Sequence, residues 1–218
     1  MSSGLLVVTA VPAEAEAIRA GLVPDVPVTV APVGVGPASA AAGTARLIAL
    51  AEAAGRPYRA VVSAGVGGGF PERASLGTIV LATRSVAADL GAESPEGFLP
   101  IEELGMPLAQ LGAPPAIPAD PSLLAQLRTA LPRATAGAVL TLSTVTGTAE
   151  TAKTLATRFP DAVAEAMEGY GVAVAAAQAE LPFAEVRAVS NPVGPRDRGA
   201  WRLREAFDAL TAAAANLG

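Results

Sequence analysis

The chain has 218 residues, 15 Lys and Arg against 20 Asp and Glu for a formal charge of −5, 51% hydrophobic residues, and neither Cys nor His. The two absences exclude Ser-His-Asp and Cys-His nucleophilic systems, Cys/His zinc sites and disulfides. Catalysis must rest on carboxylates, hydroxyls, amides, Arg or the single lysine, Lys153. A pI near 4.8 without a long basic run argues against a nucleic-acid partner, which needs a positive footprint to displace counterions. Mean hydropathy is +0.45, yet the longest uncharged stretch, Val26 to Ala45, is broken by Pro27, Pro32, Pro37 and three glycines. That is a strand, a loop and a helix, not a bilayer span. The length predicts one domain over residues 1–218.

Short apolar β-rich runs alternate with Ala-rich stretches along the chain, which predicts βαβ units around a buried sheet. MSSGLLVVTAV mimics a secretory leader but has no positive n-region, so Leu5 to Val11 is read as a strand, and the lack of Cys fits a cytoplasmic protein. A helix opened by Pro12 follows over Ala13 to Ala20, then a strand over Val26 to Val33, a GVGP turn, and a helix from Pro37 to about Ala54. RAVVSAG is predicted as a strand, VGGGFPE as a loop and LGTIVLATRSVA as a strand or bent strand pair. Gly91 to Pro118 is rich in Gly and Pro and is predicted to be irregular, the best candidate for a mobile flap. The second half predicts a helix over Ser122 to Leu131, a strand GAVLTLS, a helix Thr148 to Arg158, a strand AVAEAM, a helix Gly169 to Glu180, a strand PFAEVRAVS and a last helix from Trp201 to Leu217.

Sheets of this kind bind ligands at the carboxyl ends of their strands. Four predicted strand ends are polar or glycine-rich: AVPAE with Glu14, SAGVGGG over Ser63 to Gly69, AMEG with Met167 and Glu168, and VSNPVG with Ser190 and Asn191. A carboxylate in the first turn of a helix is favoured by the dipole alone, so Glu14 has a structural reading beside that of a proton acceptor for water. Glu16 is one residue off that face and is expected to be solvated. Glu168 lies between an apolar strand and an almost uncharged helix, where a lone charge needs a partner. Arg187 or a pair of ligand hydroxyls would serve. The glycine loops Gly34 to Pro37 and Gly65 to Gly69 could bring N–H groups to a phosphate or a sugar. Ser39 and Phe70 occupy the third glycine positions of G-x-G-x-x-G, and Lys153 is not in a Walker context, so dinucleotide and NTP sites are disfavoured. The loop SNPVGPRDRGAW adds Arg196, Arg198 and Trp201, which are either solvated or suited to an aromatic carboxylate.

At these strand ends the chain resembles the nucleoside phosphorylase and nucleosidase superfamily. AVPAE is similar to the family's first catalytic segment, VVSAGVGGG to its glycine-rich loop, AMEGYGVAVA to its Met-Glu-Gly signature and FAEVRAVSNPVG to its last-strand motif. The resemblance implies a single three-layer αβα domain with a central, mostly parallel mixed β-sheet. It implies Glu14 as the activator of water, Glu168 as the holder of ribose hydroxyls, Met167 beneath the sugar, and Ser63, Ala64 and Gly65 lining sugar and base, with Ser190 beside Asn191. Thr146 falls near the base-stacking segment. It further implies a small-molecule nucleoside substrate, no cofactor, no metal and a homo-oligomer, dimer or higher.

Within the superfamily the combination MEG, AEVRAVSN and PVG-x-RDR-x-x-W most resembles the branch that hydrolyses futalosine to hypoxanthine in menaquinone biosynthesis. The alternatives are a nucleosidase for aminofutalosine, methylthioadenosine or adenosylhomocysteine, a phosphate-dependent phosphorylase, and a nucleoside-binding module without catalysis. Two departures stand out. Tyr170 and Gly171 replace small residues after MEG, implying a different pocket wall, and Asn191 replaces the aspartate of adenine-releasing relatives. An amide can donate to purine N7 and to a 6-oxo oxygen but cannot transfer a proton, so Asn191 points to hypoxanthine. The distal carboxyphenyl group of such a substrate would meet Arg196 or Arg198, with Gly91 to Pro118 helping to cover it.

Overall fold

The computed structural model describes residues 4–217 apart from 106, 108, 109 and 111. Its first half runs β1 (Leu5–Thr9), α1 (Pro12–Gly21), β2 (Val28–Pro32), α2 (Pro37–Ala53), β3 (Ala60–Gly69), β4 (Ile79–Ala87), β5 (Gly91–Ser94), β6 (Gly97–Pro100) and β7 (Ala116–Pro118). The second half runs α3 (Pro121–Ala130), β8 (Thr135–Thr141), α4 (Ala149–Arg158), β9 (Ala162–Ala166), α5 (Gly169–Gln178), β10 (Phe183–Pro192) and α6 (Leu203–Ala214). Proline opens α1, α2 and α3, where its missing N–H costs nothing. Asp120 and Thr148 cap α3 and α4 by accepting from Leu123 and Thr151 N–H. The Asp120 carboxyl is accordingly held below its usual range, first by the Leu123 N–H and then by the Ser122 hydroxyl.

The mixed α/β class is as expected, and most strand pairs are parallel. The sheet also closes on itself. β3 pairs with β10, β10 with β4, β4 with β8, β8 with β9, and β9 returns to β3, while β1 and β2 extend from β3 and β7 adds to β4. Consecutive residues of β1 face opposite sides. Leu5 and Val7 join Val62, Val186, Ile18 and Leu210 under α1 and α6, whereas Leu6 and Val8 join Val61, Ile48 and Val172 under α2 and α5. Burial on both faces explains why LLVVT reads as an unbroken apolar run.

Three sequence expectations need correction. GVGGG is not a loop. β3 runs straight through it, none of these glycines has positive φ, and a Cβ on Gly67 would stand 2.8 Å from the Glu165 carbonyl and one on Gly69 2.5 Å from that of Ala74. The glycines serve close approach rather than turning. Gly91 to Pro118 is not structureless, since it holds the β5–β6 hairpin and β7 paired to β4. The hairpin docks through Phe98 under the Arg158 guanidinium, 4.2 Å from the ring centre. Met106, Leu108, Ala109 and Leu111 of that segment lie outside the described residues. Finally, Trp201 precedes the last helix, because Arg202 N–H donates to the Ser190 carbonyl at 2.7 Å and holds the chain extended until Leu203.

Candidate active site

The carboxyl ends of β3 and β10 and the segments that follow β1, β8 and β9 converge on one cleft of ≈ 260 Å³. Glu14, Thr146, Met167, Glu168, Ser190, Asn191, Arg196 and Trp201 line it, together with Val35, Glu165 and the bare strand Gly67–Gly68. Ser63, Ala64 and Gly65 lie beneath it and Arg198 outside it.

Glu14 is 3% exposed although it belongs to the first turn of a helix. Its Oε2 accepts from Ala10 N–H at 2.9 Å and Val11 N–H at 3.2 Å, and its Oε1 accepts from Val66 N–H at 2.9 Å. The bonds from the residues before α1 are the structural reading of Glu14, a side chain folded back over its own helix start. The Val66 bond is different, because it carries the carboxylate across to the glycine-rich strand. Three of roughly four lone-pair positions are thereby taken, leaving a fixed acceptor at the cleft.

Glu168 accepts from Gly36 N–H at 3.2 Å and pairs with Arg187 at 3.4 Å. Gly36 reaches it from a turn with φ of 88°, which glycine adopts without strain. The GVGP loop thus spends that N–H on a glutamate. Arg187 is wholly buried; it also binds Glu185 at 2.9 Å and donates to Ser63 Oγ at 3.0 Å. Burial alone would lower its pKa, but the charges of Glu185, Glu168 and Glu14 outweigh it and hold the guanidinium above its ordinary value. Gly65 makes this possible: a Cβ there would stand 2.6 Å from Glu14 Oε1 and 2.8 Å from Arg187 Nη1. Ser63 and Gly65 therefore support the glutamates from below.

On the other side, Asn191 Oδ1 accepts from Ser190 Oγ at 2.9 Å and Nδ2 donates to the Pro192 carbonyl at 3.0 Å, leaving one amide N–H uncommitted. A register shift in β10 between Val189 and Asn191 presents this pair to the cleft. The Arg196 guanidinium stacks over Trp201, 5.5 Å from the ring centre, at one edge.

Tyr170 and Gly171 do not form the cleft wall expected of them. Tyr170 Oη donates to the Pro114 carbonyl at 3.0 Å, and a Cβ on Gly171 would collide with the Pro37 carbonyl, so the pair packs α5 against its neighbours. Sequence reasoning also passed over two acids. Glu185 is buried against Arg187 and Ser85 Oγ, and Glu165 lines the cleft at 4% exposure. Glu165 is the one charge in the strand AVAEAM, and that isolation was the available signal; Glu185 shares the strand PFAEVRAVS with Arg187, and the signal there was an opposite charge two residues on, on the same face. Among the described residues no group of three or more acids is arranged to hold a metal ion, and no helix is long and apolar enough to cross a membrane.

Residues 7–218 match the phosphorylase superfamily. The chain is 53% identical over 184 residues to a futalosine hydrolase of Streptomyces coelicolor, covering 84% of this chain and 75% of that protein. It is 44% identical over 240 aligned positions to a futalosine hydrolase of Acidothermus cellulolyticus, covering 100% and 94%. Among solved structures, the 5'-methylthioadenosine/S-adenosylhomocysteine nucleosidase of Colwellia psychrerythraea in complex with adenine superposes with a TM-score of 0.82 at 21% identity, covering 100% and 96% of the two chains. The futalosine hydrolase of Helicobacter pylori gives 0.77 at 16%, covering 97% and 95%. The structural likenesses establish the shared fold, while the match along residues 7–218 and the sequence identities establish descent: the chain belongs to the phosphorylase superfamily and, within it, to the family of the futalosine hydrolases.

Proposed function

We propose that this chain hydrolyses the N-glycosidic bond of futalosine, releasing hypoxanthine and dehypoxanthine futalosine, in menaquinone biosynthesis. The observation that carries the reading is one cleft in which two buried glutamates, Glu14 and Glu168, face the Asn191 amide, in a chain so close to a futalosine hydrolase. Glu168 accepts from the ribose 2′ and 3′ hydroxyls, and Met167 lies under the sugar. As the C1′–N9 bond lengthens, the electron pair goes to the base and the free N–H of Asn191 donates to N7. Positive charge grows on the ribose ring, where the two carboxylates stabilise it. Water then attacks C1′, Glu14 takes its proton through the remaining lone pair, and the departing base acquires a proton from solvent. No step needs an imidazole, because the water attacks a carbon already close to a cation.

Base release from futalosine, aminofutalosine, methylthioadenosine and inosine, each with and without phosphate, tests this reading. Fastest release from futalosine, unaffected by phosphate, is expected; strict phosphate dependence would make the chain a phosphorylase, and tight binding without release a sensor. The phosphorylase reading is the weaker one, since Arg19, the cation of the first helix, lies away from the cleft and donates to the Val30 carbonyl at 2.6 Å.

The carboxyphenyl end of the substrate is assigned to Arg196, which lines the cleft, rather than Arg198, which does not. Arg196→Ala should narrow the preference for futalosine over inosine by about tenfold, the scale of one charge-assisted hydrogen bond. Arg198→Ala should leave it unchanged, and equal effects of the two would refute the assignment. The same reading has the protein act in the cytoplasm as a homo-oligomer, for which exposed Leu50 on α2 offers apolar contact surface; sedimentation of the purified chain reports the assembly.

A further inference from the structure

We propose that Glu165 reads the Watson–Crick edge of the purine, accepting the N1–H of a 6-oxopurine while Asn191 donates on the other side of the same base. The inference rests on the nucleosidase reading above and specifies how its site chooses a base.

Strand pairing places three residues in a row across neighbouring strands. Glu165 of β9 is opposite Gly68 of β3, and Gly68 is opposite Asn191 of β10. Neighbouring strands are about 4.8 Å apart, so only the bare backbone of Gly68 separates the outer two residues. A Cβ on Gly68 would stand 3.2 Å from Asn191 Nδ2 and 3.5 Å from Glu165 Cγ. Val193 Cγ2 stands 3.1 Å from the same point, so the bare backbone of Gly68 lets the Asn191 amide and the Glu165 side chain close in on one spot, and a base seated in the cleft above it meets both.

The hydrogen bonds around Glu165 leave it an acceptor. Thr146 N–H donates to Oε1 at 2.9 Å and Thr146 Oγ1 to Oε2 at 2.6 Å, so both donors of Thr146 are spent and each oxygen keeps a lone pair. Among the described residues no Lys or Arg lies within ion-pair distance of it. Burial, the largest influence, raises its pKa against the opposing Thr146 bonds. A buried carboxylate satisfied only by neutral donors gains from a further donor brought by a ligand. Hypoxanthine brings one at N1–H and offers O6 and N7 to Asn191. A 6-aminopurine reverses the pattern, turning an N1 lone pair toward the carboxylate and an amino group toward the amide.

The experiment measures kcat/KM for futalosine and its 6-amino analogue with wild type and Glu165→Gln. The variant should lose about 10- to 100-fold on futalosine, the scale of one hydrogen bond to a charged group. It should lose less, or gain, on the 6-amino analogue, because the new amide can donate to N1. An unchanged ratio between the two substrates overturns the assignment. Should Glu165→Gln fail to fold, calorimetry on wild type decides: hypoxanthine is expected to bind at least tenfold more tightly than 1-methylhypoxanthine, and equal affinities overturn it. Wild type that releases hypoxanthine while both ratios stay flat loses only the role of Glu165, whereas wild type that releases none from futalosine refutes the function and this role with it.

Discussion

Glu14→Gln should lower kcat by about 10²- to 10⁴-fold, the usual contribution of a positioned general base, with KM close to wild type. Glutamine is nearly the same shape, so the substrate still meets the same walls. What disappears is the ability to take a proton from water. The amide also cannot satisfy the three N–H donors that the carboxylate accepts, from Ala10, Val11 and Val66. Whichever way it turns, its NH2 opposes at least one of them, at a cost of about 1–3 kcal/mol. A thermal melt beside the kinetics separates the two effects. A modest loss of stability with a large loss of kcat supports the role, and an unaffected kcat removes Glu14 from it.

Arg187→Met should destabilise the fold by about 3–5 kcal/mol, the scale for stripping one partner from a buried charged group. At 218 residues this lowers Tm by on the order of 10 °C. The methionine fills much of the volume, so the loss is electrostatic: Glu185 at 2.9 Å and Glu168 at 3.4 Å are left without their cation, and Glu14 loses a nearby positive charge. The stranded carboxyls of the variant favour protonation when folded. The folded state then binds more protons than the unfolded one, and stability falls as pH rises. The defect should therefore be larger at pH 8 than at pH 5. A variant as stable as wild type at both would show that the guanidinium does not hold these acids together.

Glu14 and Glu168 were legible because their neighbours made them odd, one in a helix start after an apolar strand and the other alone in apolar surroundings. The Arg187 partner of Glu168 could be named from sequence, since a buried charge demands one. What could not be read was that one guanidinium serves Glu185, Glu168 and Glu14 together, because that depends on strands distant in the chain meeting at β3 and β10. Ser63 and Gly65 illustrate the same limit. Their place in a glycine-rich run points to the site, but only packing tells the floor beneath it from the wall facing it. Glu165 went unnoticed because sequence does not show that its strand lies opposite Gly68.

The sequence by itself determined the chemistry available and the class of fold. Without His or Cys the site had to be built from carboxylates and amides, and the alternation of apolar runs with Ala-rich segments required strands buried on both faces by helices. The tertiary structure decided which residues share the cleft. Closure of the sheet through β3, β10, β4, β8 and β9 brings residues 14, 68, 146, 165, 168 and 191 together, a convergence invisible to local pattern. The physical reason is that hydrophobic periodicity records whether a side chain is buried, but carries no information about which other buried side chain it meets.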